Sequence, residues 1–239
     1  MLAPVGLLVM RHWIIGPLLM TVSVFIAGMV LKTDIFLASS DLRVVMGLSE
    51  HHSSAVDTVA LGIHYGLGGL SAWFFLGVVA VAVTVIKRSV VDGLFILVLT
   101  SGGWALTTVM KVMVGRERPS PVLLADPLVP GMTGFTSFPS GHTAFAVSLG
   151  VAVAVVMANT RWRVLAMSGA ALFGVLVGAS RVYLGVHYPS DVIASFALSL
   201  AAALFLTKLM SRHRHPSLEN ISEGPRYHIR RNSRIEQRR

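Results

Sequence analysis

Six long stretches of this sequence contain no Asp, Glu, Lys or Arg, and they limit the possible folds more than any other feature. Each has about 16–20 residues, and about 20 helical residues cross the hydrocarbon of a bilayer. Only 13% of the 239 residues are charged, against about 25% in an ordinary soluble domain. A soluble all-α protein would have too little polar surface to cover six such helices. The stretches are approximately residues 13–31, 67–86, 93–110, 143–159, 164–180 and 192–207.

The pattern predicts an all-α, polytopic membrane protein with six transmembrane helices in one domain, residues 1–211. The first stretch follows Arg11 and could be a signal peptide, but it is long for one and no small-x-small cleavage site follows near Lys32. We therefore expect it to be a helix of the domain. Residues 212–239 contain eight Arg against three Glu and few apolar residues, which predicts a disordered basic tail.

The positions of the basic residues predict an orientation. With the N-terminus inside, the inner segments contain Arg11, Lys87, Arg88, residues 159–163 and the tail, as the positive-inside rule requires. Both termini are then cytoplasmic and the protein lies in the inner (plasma) membrane. The tail supplies much of the net charge of +9, which indicates contact with anionic lipid rather than with nucleic acid.

The outer loops are then about residues 32–66, 111–142 and 181–191. In the first, apolar residues near helical spacing, such as Val44, Leu48, Val56 and Ile63, predict short interfacial helices. His51-His52 could bind a metal, although an exposed polar loop is the better interpretation. The chain has no cysteine, so disulfides and thiolate metal sites are impossible.

Three cations depart from the charge rule together, since Lys111, Arg118 and Arg181 all fall on the outer side. Lys111 ends the third stretch, and Arg118 follows seven residues later, before a proline that favours extended backbone. Two cations converging from a helix end and a loop suit a multiply charged anion. Charge that simply flanks a membrane helix would explain Lys111 equally well.

The sequence Pro139-Ser140-Gly141-His142 precedes the fourth stretch. Ser140 or a neighbour can cap that helix, and exposed first-turn N–H groups bind phosphate oxygens. Gly141 permits close approach of an anion, and His142 could deliver a proton to a leaving alkoxide. Taken alone, the motif is explained as well by a helix cap beside an interfacial histidine.

His187 and Asp191 lie four residues apart at the start of the last stretch, which puts their side chains on one helical face or turn. A carboxylate on one imidazole nitrogen fixes the tautomer and leaves the other nitrogen free to attack. An unrelated histidine beside a helix-capping Asp is the alternative for this pair alone.

Together the three segments read Lys-x6-Arg-Pro, Pro-Ser-Gly-His and Ser-Arg-x5-His-x3-Asp, within residues 111–191. This series resembles the signature of the type 2 phosphatidic acid phosphatase family, which also includes soluble acid phosphatases and vanadium haloperoxidases. Every motif position matches, and the hydropathy pattern extends the resemblance to about residues 13–209.

The resemblance implies a metal-independent hydrolase without cofactor that acts on a lipid phosphate or diphosphate. It implies that Lys111, Arg118 and Arg181 hold the phosphate oxygens, helped by Ser140 and the Gly141 amide. His187 is then the nucleophile that forms a phosphohistidine, Asp191 orients it, and His142 protonates the leaving group. A site on the outer face, at the edge of the helices, suits a lipid whose tail stays in the bilayer.

The substrate is left open between undecaprenyl diphosphate, a glycerolipid phosphate such as phosphatidylglycerol phosphate or phosphatidic acid, and the phosphate of lipid A. Transfer of the phosphoryl group to a lipid acceptor is an alternative reaction. A vanadate-dependent peroxidase is disfavoured by the apolar stretches. A lipid transporter is disfavoured because transport alone would not require His142, His187 and Asp191 together.

Overall fold

The computed structural model describes residues 13–213, and these form eight α helices, a 3₁₀ turn at Pro121–Leu123 and no β strand. The predicted all-α class is confirmed for this part of the chain, while the tail lies outside it apart from its first two residues. The helices are α1 (Ile15–Thr33), α2 (Ile35–Ser49), α3 (Ser54–Gly66), α4 (Gly69–Lys87), α5 (Val90–Val114), α6 (Gly141–Met157), α7 (Arg163–Tyr183) and α8 (Pro189–His213).

Five of these helices are long and apolar enough to cross a membrane, namely α1, α4, α5, α7 and α8 as far as Ser211. Helix α6 is also apolar but has only 17 residues, so five of the six predicted spans meet the length of a span. Large apolar side chains cover the outside of the bundle, and Leu70, Phe74 and Ile193 are each at least 70% exposed. Such a surface suits lipid rather than water.

Helix α6 is the centre of the bundle, packed against α5, α7 and α8. Its residues 143–150 are all buried. At Gly150 an added Cβ would lie 2.9 Å from the Cβ of Ala170 and 3.1 Å from its Cα. Small residues therefore bring α6 and α7 into close contact, as is common between membrane helices.

The short helices predicted between residues 32 and 66 form as α2 and α3, although their interfacial location remains a prediction. Asp34 caps α2 by accepting a hydrogen bond from the Leu37 N–H at 2.9 Å. His51 and His52 both lie in the loop between α2 and α3, as predicted, but only His51 is exposed. The His52 ring packs on the Tyr183 ring, with centroids 4.5 Å apart, because α3 is held against α7.

Two charged residues that the sequence placed at helix ends lie inside the last turn instead. Helix α5 continues past Lys111 to Val114, and α7 continues past Arg181 to Tyr183. The uncharged stretches underestimate both helices because a helix can include charged residues where its end leaves the hydrocarbon. Both side chains consequently start from a rigid backbone.

Candidate active site

Four helix ends meet at one end of the bundle: the last turns of α5 and α7 and the first turns of α6 and α8. Gly115 ends α5 with a φ of 59°, and Gly185 turns the chain after α7 with a φ of 70°. Only glycine adopts these left-handed conformations readily. The two turns direct residues 116–118 and His187 towards the first turns of α6 and α8.

His187 and Asp191 form the centre of this site, as their spacing predicted. The Nδ1 of His187 lies 3.4 Å from the Oδ2 of Asp191, and the two residues are 2% and 0% exposed. The Nε2 of His187 lies 3.2 Å from the Nη1 of Arg118. A guanidinium can only donate, so Nε2 is the acceptor and Nδ1 has the proton that faces Asp191. The nitrogen away from the carboxylate therefore has its lone pair available.

The surroundings of His187 favour the neutral imidazole. Burial lowers the pKa of His187 well below its ordinary value, and the cations Lys111 and Arg118 lower it further. The hydrogen bond and the charge of Asp191 oppose this lowering without reversing it. An unprotonated histidine is the form that can act as a nucleophile.

Lys111 and Arg118 converge on one main-chain oxygen. The Nζ of Lys111 donates to the carbonyl of Thr136 at 2.7 Å, and the Nη2 of Arg118 donates to the same oxygen at 3.3 Å. Arg118 also donates to the Val186 carbonyl at 2.8 Å. Burial lowers the pKa of Arg118, while the nearby Asp191 raises it. Arg118 thus lies beside Nε2 of His187, and Lys111 shares a carbonyl with Arg118, so two cations are close together as a phosphate site requires.

The third predicted cation, Arg181, is completely buried and contacts α3. Its Nη1 donates to the Nδ1 of His64 at 2.9 Å, and its Nη2 donates to the Ala60 carbonyl at 3.2 Å. Burial and the charges of Arg181 and Arg118 lower the pKa of His64. A neutral His64 can accept from Arg181, whereas an imidazolium could not.

The segment 140–142 begins α6, as predicted. Ser140 occupies the N-cap position, but its side chain does not cap the helix. Its side chain makes no hydrogen bond to a first-turn N–H. Instead, its hydroxyl accepts from the Thr143 hydroxyl at 3.0 Å, and its N–H donates to the Asp191 carbonyl at 3.2 Å. The α6 N-terminus is thereby fixed to the start of α8. An added Cβ at Gly141 would lie 3.5 Å from the Lys111 side chain, so these two residues are close.

His142 faces His64, and the two rings stack with centroids 5.5 Å apart. The Nε2 of His142 lies 3.1 Å from the His64 carbonyl oxygen, which can only accept. Nε2 therefore has a proton, and Nδ1 is the nitrogen left to exchange a proton with a bound molecule. A cavity of about 550 Å³ adjoins this group, lined by His64, Tyr65, Arg118, Thr136 and residues 128–133.

The sequence prediction missed four polar residues that contact the predicted site residues directly or through a neighbour: Asp41, His64, Arg116 and Ser137. Ser137 donates to the Oδ2 of Asp191 at 2.5 Å, and Arg116 donates to its Oδ1 at 2.8 Å. Arg116 had a signal, since it lies two residues before Arg118 in a charged run. Asp41 and His64 had none, because both come from α2 and α3, far from the motifs in sequence.

Comparison with known proteins places these residues in a family. The PAP2 superfamily matches residues 89–215, a little more than half of the chain. Phosphatidylglycerophosphatase B of Bacillus subtilis is 34% identical over 126 residues, which cover 51% of this chain and 59% of that protein. Undecaprenyl-diphosphatase BcrC of the same organism is 26% identical over 164 residues, covering 66% and 76%. The chain thus spans less than two thirds of the first of these relatives.

A solved structure gives the same result for the fold. The crystal structure of a transmembrane PAP2-type phosphatidylglycerolphosphate phosphatase from Bacillus subtilis matches with a TM-score of 0.68 at 23% identity. The match covers 84% of this chain and 98% of that one. Helices α5 to α8, which supply the His187–Asp191 pair and the three cations, lie within the matched residues 89–215. This chain belongs to the PAP2 superfamily.

Proposed function

We propose that this protein is a membrane phosphatase that hydrolyses a lipid phosphate or diphosphate through a phosphohistidine at His187. The observation that supports it most directly is the arrangement around that ring. Its Nδ1 faces Asp191, and its Nε2 faces the cations that would hold a phosphate. Neither a structural histidine nor a transport protein requires this combination.

In the proposed reaction, Lys111, Arg118 and Arg181 bind the phosphate oxygens, with Ser140 and the Gly141 amide. The phosphate replaces the contact between Arg118 and Nε2 of His187. Nε2 attacks phosphorus while the bond from phosphorus to the lipid oxygen breaks. His142 enters this step as an imidazolium, with a second proton on Nδ1, and gives that proton to the leaving lipid oxygen. The cations offset the charge that develops on the phosphoryl group.

Asp191 stabilises the ring while it is phosphorylated, because Nδ1 keeps its proton and the imidazole gains positive charge. Water then attacks the phosphohistidine, His142 takes a proton from that water, and His187 is restored as phosphate leaves. We expect no requirement for a metal or another cofactor, because the three cations supply the charge stabilisation that a metal would otherwise give.

The substrate is proposed to reach the site from the bilayer. The apolar α6 has 17 residues, about 25 Å of helix at 1.5 Å per residue, at the lower end of what can cross the hydrocarbon. We infer that it is the sixth span of a domain of residues 1–211. At the end of the bundle opposite the site, Lys87 ends α4, Arg88 follows it, Arg161 lies between α6 and α7, and Arg163 begins α7. The positive-inside rule then places the site on the outer face, both termini in the cytoplasm, and the basic tail against anionic lipid.

Phosphate release by the purified protein in detergent tests the activity. Phosphatidylglycerol phosphate and undecaprenyl diphosphate head the substrate panel because relatives are named for them; phosphatidic acid and lipid A complete it. We expect release by the wild type and by His51→Ala, which changes an exposed histidine, and none by His187→Ala. Release at the wild-type rate from folded His187→Ala would contradict the mechanism.

A second experiment separates hydrolysis from phosphotransfer. Substrate labelled with ³²P should give an acid-labile label on His187 in both reactions, so the label alone does not distinguish them. Adding a lipid alcohol should leave inorganic phosphate as the main product if the protein is a hydrolase. Conversion of most label to a new lipid phosphate would instead favour the phosphotransferase.

A further inference from the structure

Asp191 is contacted on both of its oxygens, and one of those contacts belongs to a chain of charges that extends to α2. Its Oδ2 faces His187, Ser137 and the Tyr188 N–H. Its Oδ1 accepts from the Nη1 of Arg116 at 2.8 Å. The other end of that guanidinium, Nη2, donates to the Oδ2 of Asp41 at 2.9 Å. The result is a continuous carboxylate–guanidinium–carboxylate chain.

The charge network of Asp41, Arg116 and Asp191 is shielded from solvent. The side chains of Asp191, Arg116 and Asp41 are 0%, 4% and 11% exposed. The guanidinium also lies over the Tyr188 ring, 4.1 Å from its centroid. Removing one member of a buried charge network leaves the others uncompensated, so each member constrains its neighbours strongly.

Asp41 fixes the start of α8 as well as Arg116. Its carboxylate accepts from the Ser190 N–H at 3.3 Å and from the Ser190 hydroxyl, and the Nη1 of Arg116 donates to that hydroxyl at 2.7 Å. Asp41 and Arg116 therefore both bind Ser190, the residue next to Asp191, and Arg116 also binds the Asp191 carboxylate. Arg118, two residues after Arg116, contacts His187 instead. Each member of the His187–Asp191 pair thus has its own arginine.

We propose that Arg116 and Asp41 are positioning residues for the reaction. They hold the Asp191 carboxylate in the position from which it orients His187. The proposal rests on the proposed function. Asp41 lies on α2, outside the residues 89–215 that match the superfamily, so the role would extend the site into the N-terminal part of the chain. Neither residue faces the phosphate; both act through Asp191.

The role predicts which kinetic constant changes. Without Arg116, the Oδ1 side of Asp191 loses its charged partner, and only the contacts at Oδ2 remain to hold the carboxylate against Nδ1 of His187. Misplacement of a reacting group by about 1 Å costs about a hundredfold in rate. The cations that bind the phosphate do not depend on Arg116, so substrate binding should be preserved. We therefore expect slower formation of the phosphohistidine at nearly unchanged KM.

The test uses the full chain in detergent with Arg116→Gln, Arg116→Lys and Asp41→Asn. Rapid quenching of ³²P-labelled substrate measures phosphohistidine formation, and steady-state assays give kcat and KM. We expect formation by Arg116→Gln to fall about a hundredfold with KM within about threefold of wild type. Arg116→Lys should be intermediate, because an ammonium keeps the charge but has no fork to span two carboxylates. Arg43→Gln, which changes an exposed arginine on α2, is the matched control and should behave as wild type.

The double variant Arg116→Gln/Asp41→Asn tests whether the two residues act together. If they do, it should be no slower than Arg116→Gln alone, because coupled residues are not additive. If the fold-loss in rate of the double variant equalled the product of the two single-variant losses, Asp41 would not act through Arg116, and this part of the proposal would be overturned.

Each remaining outcome has one meaning. Wild-type protein that releases no phosphate from any lipid would defeat the proposed function itself. An active wild type with unchanged kcat in folded Arg116→Gln and Asp41→Asn would defeat the positioning role, as would a loss confined to KM. If the rates of all three single variants simply followed their loss of thermal stability, the network would be structural and the proposal wrong.

Discussion

At the scale of the residue, the decisive feature is the direction in which each polar hydrogen points. Arg118 cannot accept a hydrogen bond, so its contact at 3.2 Å assigns the lone pair to Nε2 of His187. The His64 carbonyl cannot donate, so its contact assigns a proton to Nε2 of His142. The two histidines are thereby differentiated: in the proposed reaction, His187 would attack through Nε2 and His142 would exchange a proton through Nδ1.

His187 should remain neutral as the pH falls below the ordinary histidine value of about 6.5. Burial disfavours its imidazolium, and of the charged groups facing it, Lys111 and Arg118 add to that effect and Asp191 opposes it. A ¹⁵N-histidine NMR titration in detergent, assigned with His187→Gln, measures this directly. A midpoint at or above about 6.5 would contradict it. The same lowering means that the unfolded chain binds the extra proton first, so this histidine reduces folding stability as the pH falls below that value.

The phosphate site should bind vanadate, and activity should survive EDTA. Vanadate is an oxyanion with the charge and shape of phosphate, so it should compete with substrate for Lys111, Arg118 and Arg181. Arg181→Gln should weaken vanadate inhibition strongly, while Arg161→Gln, which changes an exposed arginine at the opposite end of the bundle, should not. A loss of activity on chelation that added divalent metal restores would count against a pocket that works by cations alone.

At the scale of the element, helix packing determines the site as much as the motifs do. The first turns of α6 and α8 are joined by the hydrogen bond from the Ser140 N–H to the Asp191 carbonyl and by the Ser195 hydroxyl, which donates to the Ser140 carbonyl at 2.9 Å. The geometry of the site therefore depends on how α6 is seated. Its closest neighbour is α7, through Gly150.

Replacing Gly150 by Ala should destabilise the protein, because the new methyl group would lie 2.9 Å from the Cβ of Ala170 and 3.2 Å from its main-chain oxygen. The backbone of α7 cannot yield as a flexible side chain could, and such overpacking costs about 1–3 kcal/mol. Gly169→Ala is the matched control, since nothing lies within 4 Å of its added Cβ. Thermal unfolding in detergent should show a lower midpoint for Gly150→Ala alone; equal midpoints would refute the close packing.

The sequence predicted those parts of the fold and site that depend on local patterns. The His187–Asp191 contact followed from a spacing of four, and the helices followed from uncharged stretches. The contact between Arg116 and Asp41 could not be predicted, because it joins residues 75 positions apart and depends on how α2 packs against α8. His64 was missed for the same reason. The predicted helices ended too early at Lys111 and Arg181. An uncharged stretch shows which part of a helix lies in the hydrocarbon, not where the helix itself ends.

At the scale of the whole molecule, the bundle has two chemically different ends. The site end gathers Lys111, Arg116, Arg118 and Arg181, each held by hydrogen bonds to carbonyls, hydroxyls, carboxylates or histidine. At the other end, Arg88, Arg161 and Arg163 are exposed. Cations that are bound within a site do not indicate how the protein is oriented in the membrane, whereas exposed cations beside a membrane-spanning helix do.

Cysteine labelling should therefore place the site on the outer face. The chain has no native cysteine, so Val122→Cys and Asn159→Cys each introduce a single thiol. Val122 is 91% exposed in the connection between α5 and α6 at the site end, and Asn159 is exposed just after α6. An impermeant thiol reagent on intact cells should label Val122→Cys only. Labelling of Asn159→Cys alone would reverse the orientation, and labelling of both after lysis is the control.

The shared carbonyl of Thr136 has a consequence for turnover. Lys111 and Arg118 both donate to it, so a phosphate that binds these two cations would exchange existing hydrogen bonds instead of filling empty donors. The exchange runs backwards when inorganic phosphate departs, because the same oxygen takes the two donors back. In the proposed reaction this exchange should assist product release, and we expect free phosphate to be a weak product inhibitor even though the pocket is strongly cationic.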